Sequence, residues 1–139
     1  MILDGNCGCG VLTVQLETAR RPAELPVRIC GCTFCLSRKP HYTSDPAGHL
    51  TITIADDAQV ERYRFGLRLA DFLICKRCDR FVAAVASGRA VINLDVLARA
   101  TDFTAAPVRF AAYDTEDAAA RTAWRAANWT PMTLANLDT

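Results

Sequence analysis

The residues able to do chemistry in this chain are its seven cysteines, which fall into three tight groups. These are Cys7-Gly-Cys9, Cys30-Gly-Cys32-Thr-Phe-Cys35 and Cys75-Lys-Arg-Cys78. A C-x-C or C-x-x-C pair places two sulfurs on one ion, and two pairs distant in sequence complete a tetrahedron when the fold joins them. Cys7 and Cys9 with Cys75 and Cys78 form the natural quartet, a closed site of the structural kind. Cys30, Cys32 and Cys35 all reach a second ion from one short turn, but no further cysteine remains to close that site. His41 is the nearest nitrogen ligand. If it coordinates, the second site is closed; if it does not, a position stays open for water or a substrate atom.

Three thiolates make a soft, electron-rich zinc suited to sulfur, whereas hydrolytic zinc more often carries His and carboxylate ligands. The expected chemistry is therefore binding of a thiol beside a small carbonyl, with Zn²⁺ in two sites, one structural and one catalytic. The chain contains no G-x-S-x-G, no H-E-x-x-H and no phosphate loop. Iron–sulfur ligation would use the same cysteines, but a triplet lacking its fourth thiolate fits it less well. Arg28, Arg38, Lys39, Lys76, Arg77 and Arg80 lie near the ligands in sequence, either stabilising thiolates or serving as ordinary surface charges.

The elements that must position these groups read mainly as β. Val11 to Thr18 alternates as a strand leaving a turn rich in glycine (Gly5, Gly8, Gly10). Val27 to Cys30 is a short strand leading into the triplet. The segment from Thr18 to Pro26 reads as a loop, as does Ser37 to Gly48. His49 to Ile54, Val60 to Phe65, Leu69 to Cys75 and Val108 to Tyr113 read as further strands. Phe81 to Ser87 and Arg89 to Asn93 flank Gly88 as a hairpin. A short helix is expected over about 115–128, capped by Asp114 or Thr115 and stopped by Pro131. Its face of Ala120, Ala123, Trp124 and Ala127 is expected to pack on the sheet.

A chain of 139 residues, 51% hydrophobic and 22% charged, fits one domain, 1–139, with a real core. The formal charge of +1 and the absence of a basic stripe argue against a nucleic-acid partner. No apolar run approaches membrane-spanning length, so no membrane partner is expected. The N-terminal residues do not read as a secretory signal, which favours the cytoplasm, where clustered thiols more often mean metal than disulfide.

Taken together, the motifs resemble the glutathione-dependent formaldehyde-activating enzymes, whose domain is shared with centromere protein V. The resemblance runs through Gly5-Asn-Cys7-Gly-Cys9-Gly-Val11, the cysteine triplet, Phe72-Leu-Ile-Cys75-Lys-Arg-Cys78 and Ile92-Asn-Leu-Asp95. It implies a zinc-bearing β-tent of antiparallel sheets. It implies structural zinc on Cys7, Cys9, Cys75 and Cys78, and catalytic zinc on Cys30, Cys32 and Cys35. The implied reaction is carbon–sulfur lyase chemistry, joining a thiol such as glutathione to formaldehyde or a related small aldehyde. The chain departs from the family pattern at Gly31, where His is usual, and at Asp79, where Gly is usual. The alternative from a different class is a noncatalytic zinc-binding module for protein interaction.

Overall fold

The computed structural model describes residues 1–30, 41–64, 70–105, 108–110, 123 and 126–136. Among them the architecture is mainly β, with eleven strands and short helical turns. The first layer holds β1 (Ile2–Asn6), β2 (Leu12–Glu17), β5 (His49–Ile54) and β11 (Thr130–Asn136), in the order β1-β2-β5-β11. Strict alternation builds it. Leu12, Val14 and Leu16 are buried while Thr13, Gln15 and Glu17 face outward, and β5 repeats the pattern with Leu50, Ile52 and Ile54. The register sets Leu12 against Ile54, Val14 against Ile52 and Leu16 against Leu50, so the apolar faces coincide. A slip of one residue in either strand would turn its three apolar side chains outward.

The second layer is an antiparallel meander of β6 (Val60–Tyr63), β7 (Asp71–Cys75), β8 (Arg80–Ala86) and β9 (Arg89–Asn93). The β8–β9 hairpin closes on Ser87 and Gly88, whose φ values of 52° and 75° are both positive. That is the turn whose twist matches the strands it joins. The free edge of β9 then divides between two neighbours. Arg89 and Ala90 pair with Pro131 and Thr130 of β11, while Ile92 and Asn93 pair with Thr43 and Tyr42 of β4 (Tyr42–Thr43). Beyond β4 lie β3 (Arg28–Cys30) and β10 (Val108–Phe110). The layers thus diverge from β9 like the panels of a tent. Most ladders are antiparallel, as expected, with parallel pairing at β3–β10 and β5–β11.

The main core lies between the layers and includes Leu12, Leu16, Ile52, Leu73, Val82 and Ile92. A second cluster, on the other face of the meander, joins Tyr42, Phe72, Phe81, Val91 and Trp129. There Phe81 stacks on Phe72 at 5.7 Å and meets Tyr42 edge-on at 5.9 Å.

The expected strands are present wherever they are described, with 65–69 and 111–113 outside the described residues. Three further strands form where none is expected. β1 occupies the segment before the first cysteine pair, β4 lies inside the expected 37–48 loop, and β11 follows the helix. Pro131 accordingly stands near the start of a strand, a position that tolerates its missing N–H. Of the expected helix, residues 123 and 126–128 are helical, and the rest lies outside the described residues. Of its expected packing face, Ala123 and Ala127 are exposed, and Ala120 and Trp124 lie outside the described residues.

Trp129, just past the helix, is 0% exposed. A buried polar network fixes this corner. The Thr18 hydroxyl donates to Asp45 Oδ2 (2.5 Å), the Asp45 amide donates to Thr130 Oγ1 (2.8 Å), and the Ser44 hydroxyl donates to the Asn128 carbonyl (2.6 Å). Such bonds satisfy polar groups that burial would otherwise penalise, and they fix where β11 begins. Among the described residues, no helix is long and apolar enough to cross a membrane.

Candidate metal centre

The first half of the site is the turn between β1 and β2. Gly8 and Gly10 adopt φ of +119° and +88°, which a side chain would oppose, and the turn curls Cys7 and Cys9 toward one point. Two hydrogen bonds hold it: the Cys7 amide donates to the Leu12 carbonyl (3.0 Å), and the Gly8 amide donates to Asn6 Oδ1 (2.7 Å). The second half is the knuckle between β7 and β8, where Cys75 pairs with Arg80 across the ladder. Here Asp79 takes φ of 55°. This left-handed conformation favours glycine, which is the residue usual at that place in the family resembled, and aspartate is among the few side chains that tolerate it.

The fold brings the two halves together. Cys9 Sγ lies 3.5 Å from both Cys7 Sγ and Cys75 Sγ, and the Cys78 thiol donates to the Cys7 carbonyl at 3.1 Å. All four sulfurs lie within 4.8 Å of one another. Zinc–sulfur bonds of about 2.3 Å in a tetrahedron require sulfur separations of about 3.8 Å, so the donor set fits one soft divalent ion with little rearrangement. Cys7 and Cys75 are buried while Cys9 and Cys78 are exposed, so the site is half sunk into the end of the core. Among the described residues it is the one group of three or more His, Cys, Asp or Glu side chains so arranged.

The thiols also differ electrostatically. Burial works to raise Cys7, but hydrogen bonds from the Leu12 and Cys9 backbone and from the Cys9 and Cys75 thiols outweigh it, bringing its pKa down to about 6. Burial pushes Cys75 up to about 12, with its neighbouring thiols adding to the rise. Cys78 is raised as well, mainly by burial. Without a cation the four sulfurs cannot all ionise together; a bound divalent ion would deprotonate its ligands and invert that order. The basic neighbours do less here than their spacing allows. Lys76 Nζ donates to the Ala58 carbonyl and Arg80 to the Asp95 carbonyl, each at 3.3 Å.

One segment links this centre to the region of the cysteine triplet. Residues Leu94–Val96 form a 3₁₀ turn capped by Asn93, whose Oδ1 accepts from the Asp95 amide and whose amide donates to the Phe81 carbonyl. Gly5 packs so tightly against this segment that a Cβ on it would lie 1.9 Å from the Val96 carbonyl oxygen. On the other side, the Leu94 amide donates to the His41 carbonyl (2.8 Å). Asn6 and Asn93 are thus positioning residues, visible beforehand only as polar letters inside the quoted motifs.

Cys30 stands at the end of β3, opposite Phe110 of β10. Cys32 and Cys35 lie outside the described residues. The pairing of Arg28 with Tyr42 brings His41 to the same end of the sheet as Cys30.

No protein-family profile matches the chain, and no curated protein does. Among solved structures, the chain is similar to a Rhodobacter sphaeroides protein determined by crystallography as a Northeast Structural Genomics target. The TM-score is 0.56 at 21% identity, over 76% of this chain and 98% of that one. The likeness is one of fold.

Proposed function

We propose that the chain is a zinc protein of the formaldehyde-activating-enzyme type, adding a thiol such as glutathione to formaldehyde or a related small aldehyde. The observation that carries the metal reading is the gathering of Cys7, Cys9, Cys75 and Cys78, with every sulfur within 4.8 Å of the others. Two segments 66 residues apart converge on one point, an arrangement that buried thiols without a shared ligand have no reason to adopt. This quartet leaves no ligand position vacant, so its role is to clip the β1–β2 turn to the β7–β8 knuckle.

The chemistry is assigned to Cys30, Cys32 and Cys35. Zinc on three thiolates would bind a further thiol in its ionised form and polarise a carbonyl beside it. The chain contributes placement: β3 is held by β10 on one side and β4 on the other, so Cys30 starts from a fixed point. Holding two small reactants side by side is itself a large part of such catalysis. Small-molecule thiol and aldehyde are then the partners, and the cytoplasm, rich in reduced thiols, is the compartment. The completeness of the four-thiolate cluster equally favours a noncatalytic interaction module, and metal counting with an assay separates the two.

The expected result is two zinc ions per chain. Cys30→Ser should lose one of them, along with acceleration of glutathione–formaldehyde exchange measured by NMR, while melting near the parent temperature. Cys75→Ser should lose the other and melt much lower. A Cys30→Ser protein with unchanged metal content and unchanged exchange rate would sink the enzyme reading.

A further inference from the structure

The geometry points to the four-cysteine cluster as a peroxide-sensitive modification site, in which Cys9 and Cys75 form a disulfide that replaces the metal as the clip. The inference rests on the metal reading above but concerns a reaction which that reading does not include. Cys9 and Cys78 are the exposed sulfurs of the cluster, and Cys9 lies 3.5 Å from both buried ones, Cys75 Sγ and Cys7 Sγ, whereas the Cys78 thiol is turned to the Cys7 carbonyl. A small oxidant arriving from solvent reaches Cys9 before either buried partner. Susceptibility to oxidation follows thiolate character and exposure, and a metal ligand is a thiolate.

The chemistry closes in two steps. The Cys9 thiolate attacks one oxygen of hydrogen peroxide, breaking the O–O bond, giving a sulfenic acid at Cys9 and releasing hydroxide. Cys75 Sγ then attacks the Cys9 sulfur, the S–S bond forms, and the S–O bond breaks with loss of the second hydroxide. Two sulfurs have lost one electron each and peroxide has gained two. Cys7 and Cys78 alone remain as thiolate ligands, too few for a structural site.

Cys75 is favoured over Cys7 as the resolving thiol by backbone constraint. Cys7 and Cys9 are separated by Gly8 alone, at φ +119° in a turn held by the Asn6 and Leu12 bonds, and a disulfide demands specific Cα and Cβ separations that this turn must be redrawn to meet. Cys75 ends the buried strand β7 and faces Cys9 from another segment. The product spans the same two elements as the metal does, 66 residues apart, so the tie between the layers outlives the loss of the ion.

Peptide mapping of the metal-loaded protein before and after dilute hydrogen peroxide tests this directly. Trypsin cuts after Lys76 and Arg77, which separates Cys75 from Cys78, while Cys7 and Cys9 share the N-terminal peptide and are assigned by fragmentation. The expected result is a Cys9–Cys75 linked peptide, one metal equivalent released to a chromogenic chelator, and recovery of both after dithiothreitol and zinc. The oxidised, metal-free protein should melt well above the reduced, metal-free one. Cys78→Ser, which keeps both reacting thiols, should still form the link. A Cys75–Cys78 or Cys7–Cys9 link, or sulfinic acid at Cys9 without a disulfide, overturns the inference and leaves the metal reading intact. A chain isolated without metal that nonetheless forms the Cys9–Cys75 link overturns the metal reading and upholds the thiol pair.

Discussion

Asp79 shows how a single side chain can be read twice. In sequence it is a departure from the glycine usual after the second cysteine pair; in the fold it is a residue held at φ of 55°, where a Cβ is costly. Asp79→Gly should relieve that cost, partly offset by the greater freedom of glycine in the unfolded chain, and raise stability by about 0.5 kcal/mol in denaturant titration. The thiols make a second prediction at this scale. In the reduced, metal-free protein Cys7 sits near 6, below the ordinary thiol value of 9.0, so it contributes stability above 9 that is lost as pH falls through about 6. Cys75, raised to about 12, does the reverse: its contribution is complete below 9 and is lost as pH rises through about 12. Unfolding of the metal-free protein followed across pH should therefore show stability rising from about 6 to 9 and falling beyond. A monotonic rise would show that Cys75 is not held in its protonated form.

At the scale of elements, the segment from Asn93 to Ala98 decides how the pieces meet. It receives Gly5 of β1 against Val96, donates from Ala98 to the Asp4 carbonyl (2.9 Å), and reaches His41 through Leu94. The contact at Gly5 is closer than any Cβ permits. Gly5→Ala should cost roughly 3 kcal/mol by thermal or chemical denaturation, at the upper end of overpacking effects, and should weaken metal retention because Cys7 lies two residues on. An alanine variant of near-parent stability and metal content would mean that the strap yields easily. The alternation in β2 and β5 made those strands legible without any structure, since each residue type reports its own face. β1 and β4 were not legible for the opposite reason. Glycine and cysteine follow the first, proline, serine and charged residues flank the second, and both are strands through the partners they find: β2 for the first, β3 and β9 for the second.

For the whole molecule, the cluster joins two layers that already share an apolar core. If the cluster holds the proposed ion, removing it should therefore weaken the fold without abolishing it. Chelation should lower the melting temperature by about 10 °C or more, corresponding to several kcal/mol for a chain of this size, with recovery on adding zinc. An unchanged melting temperature after verified metal loss would remove the structural role.

The three cysteine groups, the alternating strands and the hairpin at Gly88 all follow from local spacing, because ligand reach, strand period and turn handedness are properties of a few adjacent residues. The convergence of Cys9 on Cys75, the splitting of β9 between β4 and β11, the need for glycine at position 5 and the burial of Trp129 were decided by tertiary structure alone. Each depends on which distant segment comes to lie alongside, and that is settled by burying two layers of apolar residues at once, a condition no local window contains.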